Sequence, residues 1–259
     1  MESVAEPLSL PGQDPPNVCK KKKRKKRAAA EDQPSATPKK AKRKRKHLWL
    51  VIGLSQELSL LGGDDVCTAA GQDDGFYCFR EDGSQYSGNP VKGRYDSISS
   101  GFALSATRLF AGLDYVVGKA TVGARLGYTV RGSSPTPVGG GDFPFLIAAR
   151  AEYWFAKHAY RTSRLGFYLL GEAGAAEADS KREKVPVEED RSMPSNQVNP
   201  DQQYMEVWKR AGRAFVGLGA GLLVPAGKTG GVVIELPLRA YVPASGFTVA
   251  PTLGYAAGF

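Results

Sequence analysis

The sequence predicts an all-β protein: an eight-stranded antiparallel up-and-down transmembrane β-barrel preceded by a disordered basic N-terminal tail. Three observations carry that prediction. From residue 47 onward, eight segments alternate apolar residues with small, hydroxylated or charged ones. This is the period of two that a strand needs when its faces meet different surroundings. The connections between the segments alternate in length, and none of the segments contains a lysine.

The tail, residues 1–46, separates from the rest by charge. It holds fifteen Lys and Arg, in runs at 20–27 and 39–46, against five acids, and so carries +10. The remainder has 20 basic and 21 acidic residues, so the net +9 of the chain belongs to the tail. Pro, Ala, Lys and Glu dominate this segment and no apolar period runs through it, which leaves too little surface to bury for folding. Beyond a linker role, its charge suits attraction to an anionic surface or nucleic acid, and KKAKRKRK matches a nuclear-import signal in composition.

The body, 47–259, reads as strands at 48–60, 103–117, 120–131, 145–155, 165–178, 211–224, 231–242 and 247–259. At roughly 11–15 residues they exceed the about 5–6 of a soluble strand and reach the about 9–11 that a tilted strand needs to cross hydrocarbon. No run of about 18 apolar residues occurs, which excludes a transmembrane helix. Lipid offers backbone groups no partners, so a closed barrel is the remaining way to span it. The first, third and fifth connections, 61–102, 132–144 and 179–210, are long; the others are short. Spanning barrels alternate long external loops with short periplasmic turns, so both termini are expected in the periplasm.

The strand faces test the same idea chemically. In 120–131, Val122, Leu126, Tyr128 and Val130 alternate with Thr121, Gly123, Arg125, Gly127 and Thr129. In the last strand, Phe247, Val249, Pro251, Leu253, Tyr255 and Phe259 share one face. A soluble lipocalin-like barrel carrying a small apolar ligand would show the same period with the faces reversed, and alternation alone leaves that alternative open. Lysine usage favours the membrane version, because a water-facing sheet normally carries Lys. The polar face carries Arg instead, whose planar fork suits pairing in a fixed geometry. Arg108, Arg125, Arg150, Arg213 and Arg239 there oppose Glu57, Asp114, Glu152, Glu172 and Glu235. A near-neutral network is expected, since unpaired ions in a narrow interior are costly. Eight strands enclose space for little more than their own side chains. With Trp49, Trp154, Tyr168, Phe215 and Tyr241 also assigned inward, the lumen is expected to be plugged.

Cys67 and Cys78 lie in the first long connection with ten residues between them. A disulfide is expected there, since an extracellular loop is oxidising, and it would contribute on the order of 2–3 kcal/mol. A metal site is the competing reading, but it lacks nearby His. Cys19 is left over. The acid pairs at 64–65 and 73–74 lack the spacing of a calcium loop and read as solvated loop acids. Two His, His47 and His158, stand without a Ser or Asp motif context, so no catalytic residue, cofactor or metal is expected.

The end of the chain, FTVAPTLGYAAGF, resembles the C-terminal signature of bacterial outer-membrane β-barrels. That resemblance implies an insertion signal in Leu253, Tyr255 and Phe259, read by the barrel-insertion machinery. KHLWLVIGLSQEL, the DVC…YCF loop, ATRLFAGLDYVVGKATVGARLGY, AEYWF and VWKRAGRAFVGLGAG extend the likeness. Together they resemble the barrel domain of myxobacterial and related Gram-negative envelope proteins, small eight-stranded barrels of the OmpA/OmpX type. The resemblance implies location in the bacterial outer membrane and no defined activity. Residues 1–19 lack a cationic start followed by an apolar core, so an upstream leader or domain is expected.

The reading is a non-catalytic envelope anchor or surface-display protein, with loops 62–101 and 179–207 as its external contact surfaces. Its expected partners are outer-membrane lipid, the insertion machinery and, through the tail, an anionic envelope polymer. Nucleic acid is the partner of the competing reading as a basic-tailed nucleic-acid-binding protein, and is not otherwise expected.

Overall fold

Alternation becomes a closed ring of strands. The computed structural model describes residues 46–93, 96–132, 143–161, 163–190, 202–243 and 246–259. The wall comprises β1 (Leu48–Gly63), β3 (Ile98–Val117), β4 (Ala120–Arg131), β5 (Phe145–Trp154), β6 (Gly166–Ala176), β9 (Ala214–Pro225) and β10 (Gly230–Val242). A final strand in two pieces, β11 (Gly246–Val249) and β12 (Thr252–Gly258), completes it. Every pairing is antiparallel, and β1 closes the ring between β3 and the final strand. Closure removes the sheet edges that would otherwise present unpaired backbone groups.

Two irregularities set the register. Between Gln56 and Leu58 the β1–β3 ladder shifts, and Ser105 and Ala106 of β3 are both buried. This bulge lets Phe102 and Leu104 face outward before it and Leu109 and Leu113 after it, although their parities differ. Gln56 holds the bulge by donating from Nε2 to the carbonyl of Ser105 at 3.2 Å while accepting from Thr107 Oγ1 at 2.6 Å. The second irregularity is the break in the final strand. Pro237 and Pro251 bring no N–H to the ladder. Each still accepts through its carbonyl, Pro237 from Ala250 N at 2.9 Å and Pro251 from Gln56 N at 3.0 Å. Ala250 O is satisfied by the Thr252 hydroxyl at 2.9 Å.

The wall is apolar outside and charged inside. Leu126, Ile234 and Phe259 are 56, 46 and 67% exposed, whereas Arg125 and Glu235, each beside one of them in sequence, are 3% exposed. A soluble lipocalin-like carrier requires the reverse polarity. In water this belt would forfeit roughly 25 cal/mol for every Å² of apolar surface left uncovered. All seven lysines of the body lie outside the wall strands.

The long first and fifth connections depart from expectation. They are not two separate loops but one small domain. α1 (Ala69–Asp73) and β2 (Phe76–Phe79) come from the first connection, β7 (Asp179–Val187) and β8 (Gln203–Arg210) from the fifth. They form a sheet in the order β2-β8-β7, so β8 joins the two excursions. This cap has its own core of Val66, Phe76, Tyr86, Ile98, Val185, Val187, Met205 and Val207. The sixth wall strand begins at Ala214, later than residue 211, because Ala211 N bonds to the Ala178 carbonyl at 3.0 Å, beyond the end of β6. Most of the third connection, 133–142, and the tail lie outside the described residues.

Candidate functional site

Strand geometry places the inward charges in two layers. Nearer the end carrying the termini, Arg150 donates from Nη2 to Glu235 Oε1 at 2.6 Å and from Nη1 to Glu235 Oε2 at 3.3 Å. Arg150 Nη2 also reaches Glu152 at 2.5 Å, and Arg125 Nη2 reaches Glu235 Oε2 at 2.9 Å. The Arg125 guanidinium lies 4.1 Å above the Phe110 ring. Nearer the cap, Glu57 pairs with both Arg108 and Arg239, and Arg239 Nε donates to Glu172 at 2.7 Å. Glu57, Arg108, Asp114, Arg125, Arg150, Glu152, Glu172, Glu235 and Arg239 are all buried.

Arg213 differs from its expected place. Its side chain is 49% exposed at the mouth, where Nε donates to Glu177 Oε1 at 2.8 Å. Arg213 stands one residue before β9, at the open edge of the wall, where solvent reaches the side chain that alternation assigns inward. Four arginines therefore face five acids inside, and hydroxyl donors share the load. Tyr168 donates to Glu235 at 2.7 Å, Thr121 to Glu152 at 2.7 Å, and Tyr160 to Asp114. Small residues make this density possible. A Cβ on Gly221 would stand 2.1 Å from the Tyr168 ring, and one on Gly123 would meet Asp114 Oδ1 at 2.1 Å.

Both ends of the lumen are covered by residues that alternation could not place. At the terminal end the β5–β6 turn folds back, with Tyr160 in the left-handed region at φ 49°. Its ring stacks 4.5 Å from Trp49 and lies 4.7 Å from Trp154, which itself stacks 4.3 Å from Tyr168. At the cap end, Glu177, Ala178, Asp179 and Ser180 are buried across the mouth. Ser180 donates to Ser59 at 2.6 Å, Ser105 donates to the Asp179 carbonyl at 2.8 Å, and Arg108 donates to the Glu177 carbonyl. Arg210 grips Asp179 from Nε at 3.0 Å and from Nη2 at 3.2 Å.

The cap carries the disulfide between Cys67 and Cys78, with Cα atoms 5.5 Å apart. It joins the segment before α1 to β2, and both cysteines are buried. On the cap surface Lys184 pairs with Glu81 at 2.6 Å and Lys181 with Glu206 at 2.8 Å, both exposed and therefore weak. Within the cap core Tyr86 donates to Glu189, and burial together with that carboxylate raises the phenol well above its ordinary value.

Among the described residues of the wall strands, the one exposed charged side chain is Arg131, at the cap end of β4. Tyr115, Tyr153, Phe155, Phe167, Tyr255 and Phe259 ring the terminal end, and Phe102, Tyr128, Phe145 and Phe247 stand towards the cap. Tyr153 and Phe155 meet edge to face at 5.9 Å, as do Tyr128 and Phe145 at 5.6 Å. Leu253, Tyr255 and Phe259 are all exposed on this face. Among the described residues no group of three or more His, Cys, Asp or Glu could hold a metal.

No protein-family model matches the chain, and no curated protein matches it. Among solved structures it is similar to Ail, the attachment invasion locus protein of Yersinia pestis. The structure of Ail with the heparin analogue sucrose octasulfate shares 13% identity at a TM-score of 0.29. Ail alone shares 12% identity at the same TM-score, and each match covers 83% of this chain and 100% of the other.

Proposed function

We propose that the chain is a non-catalytic outer-membrane β-barrel that anchors and displays its disulfide-bonded cap at the cell surface. The polarity of the wall carries this reading. An unbroken apolar belt between two aromatic rims suits lipid and its two interfaces, while the ions retreat inside. In this orientation the termini and the short turns face the periplasm and the cap faces outward. Leu253, Tyr255 and Phe259 serve the insertion machinery. The basic tail, outside the described residues, holds the barrel near an anionic envelope polymer. Deletion of residues 1–46 is expected to lower envelope association at low salt.

The same reading makes the lumen a closed interior. Support comes from the buried bridge 177–180 at one end and from Tyr160 between two tryptophans at the other. The test combines two measurements on the folded full chain. Outer-membrane fractionation with a mobility shift on boiling is expected of a folded spanning barrel. Planar bilayers should show no porin-like conductance. Recovery in the soluble fraction without detergent would overturn the membrane assignment, and steady porin-sized currents would overturn the plug.

A further inference from the structure

The two ends of the barrel differ in charge. At the terminal end, residues 46–48, 118–119, 155–165, 225–230 and 258–259 hold Lys46, Lys119, Lys157, Arg161, Arg164 and Lys228 without an Asp or Glu. The cap end instead exposes Asp64, Asp73, Asp74, Glu81 and Asp82 beside its cations. Backbone bonds between turns gather the terminal cations. Trp154 N bonds to the Lys119 carbonyl at 2.8 Å and Ala159 N to the Gly118 carbonyl at 3.1 Å, so Lys119 adjoins the turn that carries Lys157. Phe155 N bonds to the Phe167 carbonyl at 3.0 Å, which brings the Arg164 end of that turn back alongside. Lys119, Lys157 and Arg164 are exposed and, among the described residues, have no acidic partner.

Their depth follows from the belt beside them. Val117 and Phe155, exposed on the apolar face, stand two residues before Lys119 and Lys157, and Leu165 directly follows Arg164. A strand rises about 3.3 Å per residue, so these charges lie at most about 7 Å past the belt. Each headgroup layer of a bilayer is about 5–7 Å deep. Long basic stems can therefore lie along the apolar rim while their charged heads reach lipid phosphates. We propose that Lys119, Lys157 and Arg164 bind the phosphate groups of anionic phospholipids in the leaflet that meets the terminal end. Charge and place choose this occupant, because an anionic head joined to apolar tails matches cations that border an apolar, aromatic-edged wall. The inference rests on the spanning reading proposed above and names the lipid class at one end of the wall.

The experiment uses the full chain, folded and reconstituted into phosphatidylcholine vesicles. Spin-labelled phosphatidylglycerol and spin-labelled phosphatidylcholine are the probes, and electron spin resonance reads the motionally restricted fraction of each. At low salt phosphatidylglycerol should be preferred by about fivefold or more, and added NaCl should shrink that preference. Lys119→Gln with Lys157→Gln and Arg164→Gln should lower the preference by about threefold or more. A charge-matched cap variant, Lys92→Gln with Lys181→Gln and Lys184→Gln, should leave it unchanged. The basic tail is present in every protein, so an undiminished preference in the terminal variant would trace it to the tail and overturn the proposal. An equal loss in the cap variant, or equal restriction of both lipids by the parent, overturns it too. Restricted lipid of neither kind would overturn the spanning reading along with it.

Discussion

Arg150 clamps Glu235 with both terminal nitrogens, across 85 positions of sequence, inside a barrel that leaves each side chain only 1% exposed. Glu235 is the hub of its layer, since it also receives Arg125 and Tyr168. Removing it strands the Arg125 guanidinium in a buried interior and leaves Arg150 with Glu152 alone. Glu235→Leu should therefore cost about 3–5 kcal/mol, the cost of an uncompensated buried charge, and lower the temperature at which the barrel loses its heat-shifted mobility. Adding Arg150→Met should recover part of that loss. A single variant as stable as the parent would remove the network from the stability argument.

The cap should respond to its disulfide while the barrel does not. Cys67→Ser with Cys78→Ser opens a short loop, worth about 2–3 kcal/mol by chain entropy. The cap core packs around both sulfurs, so the loss falls on β2 and on its pairing with β8. Limited proteolysis is expected to cut within 61–102 faster in the variant. The boiling shift of the wall should stay unchanged, because no wall strand depends on the bridge.

Much of the wall was legible in the sequence, and the cap was not. β4 spans 120–131, the range that alternation predicts, because one of its faces is apolar throughout. β3 begins five residues earlier than expected, since the bulge at Ser105 and Ala106 inverts the parity that a reader follows. The cap strands are short, and β7 and β8 are rich in charge. FYCF and QYMEVWKR alternate only over a few residues, and their partner lies in a distant connection. The faint signal was Met205 with Val207 and Val185 with Val187, spaced by two in supposedly irregular loops. Tyr160 gives no periodic signal at all, because a turn residue with φ 49° follows neither strand nor helix.

Cap stability should depend on pH through Asp96. Burial first, then the charge of Asp65, pushes its carboxyl up to about 6, against the opposing pull of the Cys67 and Asp96 backbone N–H groups. The native state thus binds more protons than the unfolded one between an ordinary Asp value of about 3.9 and about 6. Stability from this group is complete below that window, falls as pH rises through it, and levels off above. Protection factors of the cap amides should decline from pH 4.5 to 6.5. Asp96→Asn, neutral throughout, should flatten that slope. Glu81 and Asp82, lowered by Lys184 and Ser84 respectively, act in the opposite sense but are fully exposed.

Tyr160 makes the closed lumen testable at a single residue. Its ring fills the space between Trp49 and Trp154, and its hydroxyl donates to Oδ2 of Asp114, whose Oδ1 has no hydrogen-bond partner. Tyr160→Gly removes the ring and relieves the left-handed backbone at once, so the turn itself gains while the interior loses its cover. Water can then reach Asp114 and the ion pairs behind it. The variant should keep its boiling shift, since every wall pairing remains. Stepwise current should still be absent while the bridge 177–180 covers the opposite mouth. The tryptophans next to the vacated site should become accessible to acrylamide, with quenching rising about twofold or more in Tyr160→Gly and little in Tyr160→Phe. Equal quenching in all three proteins would mean that the turn does not seal this end.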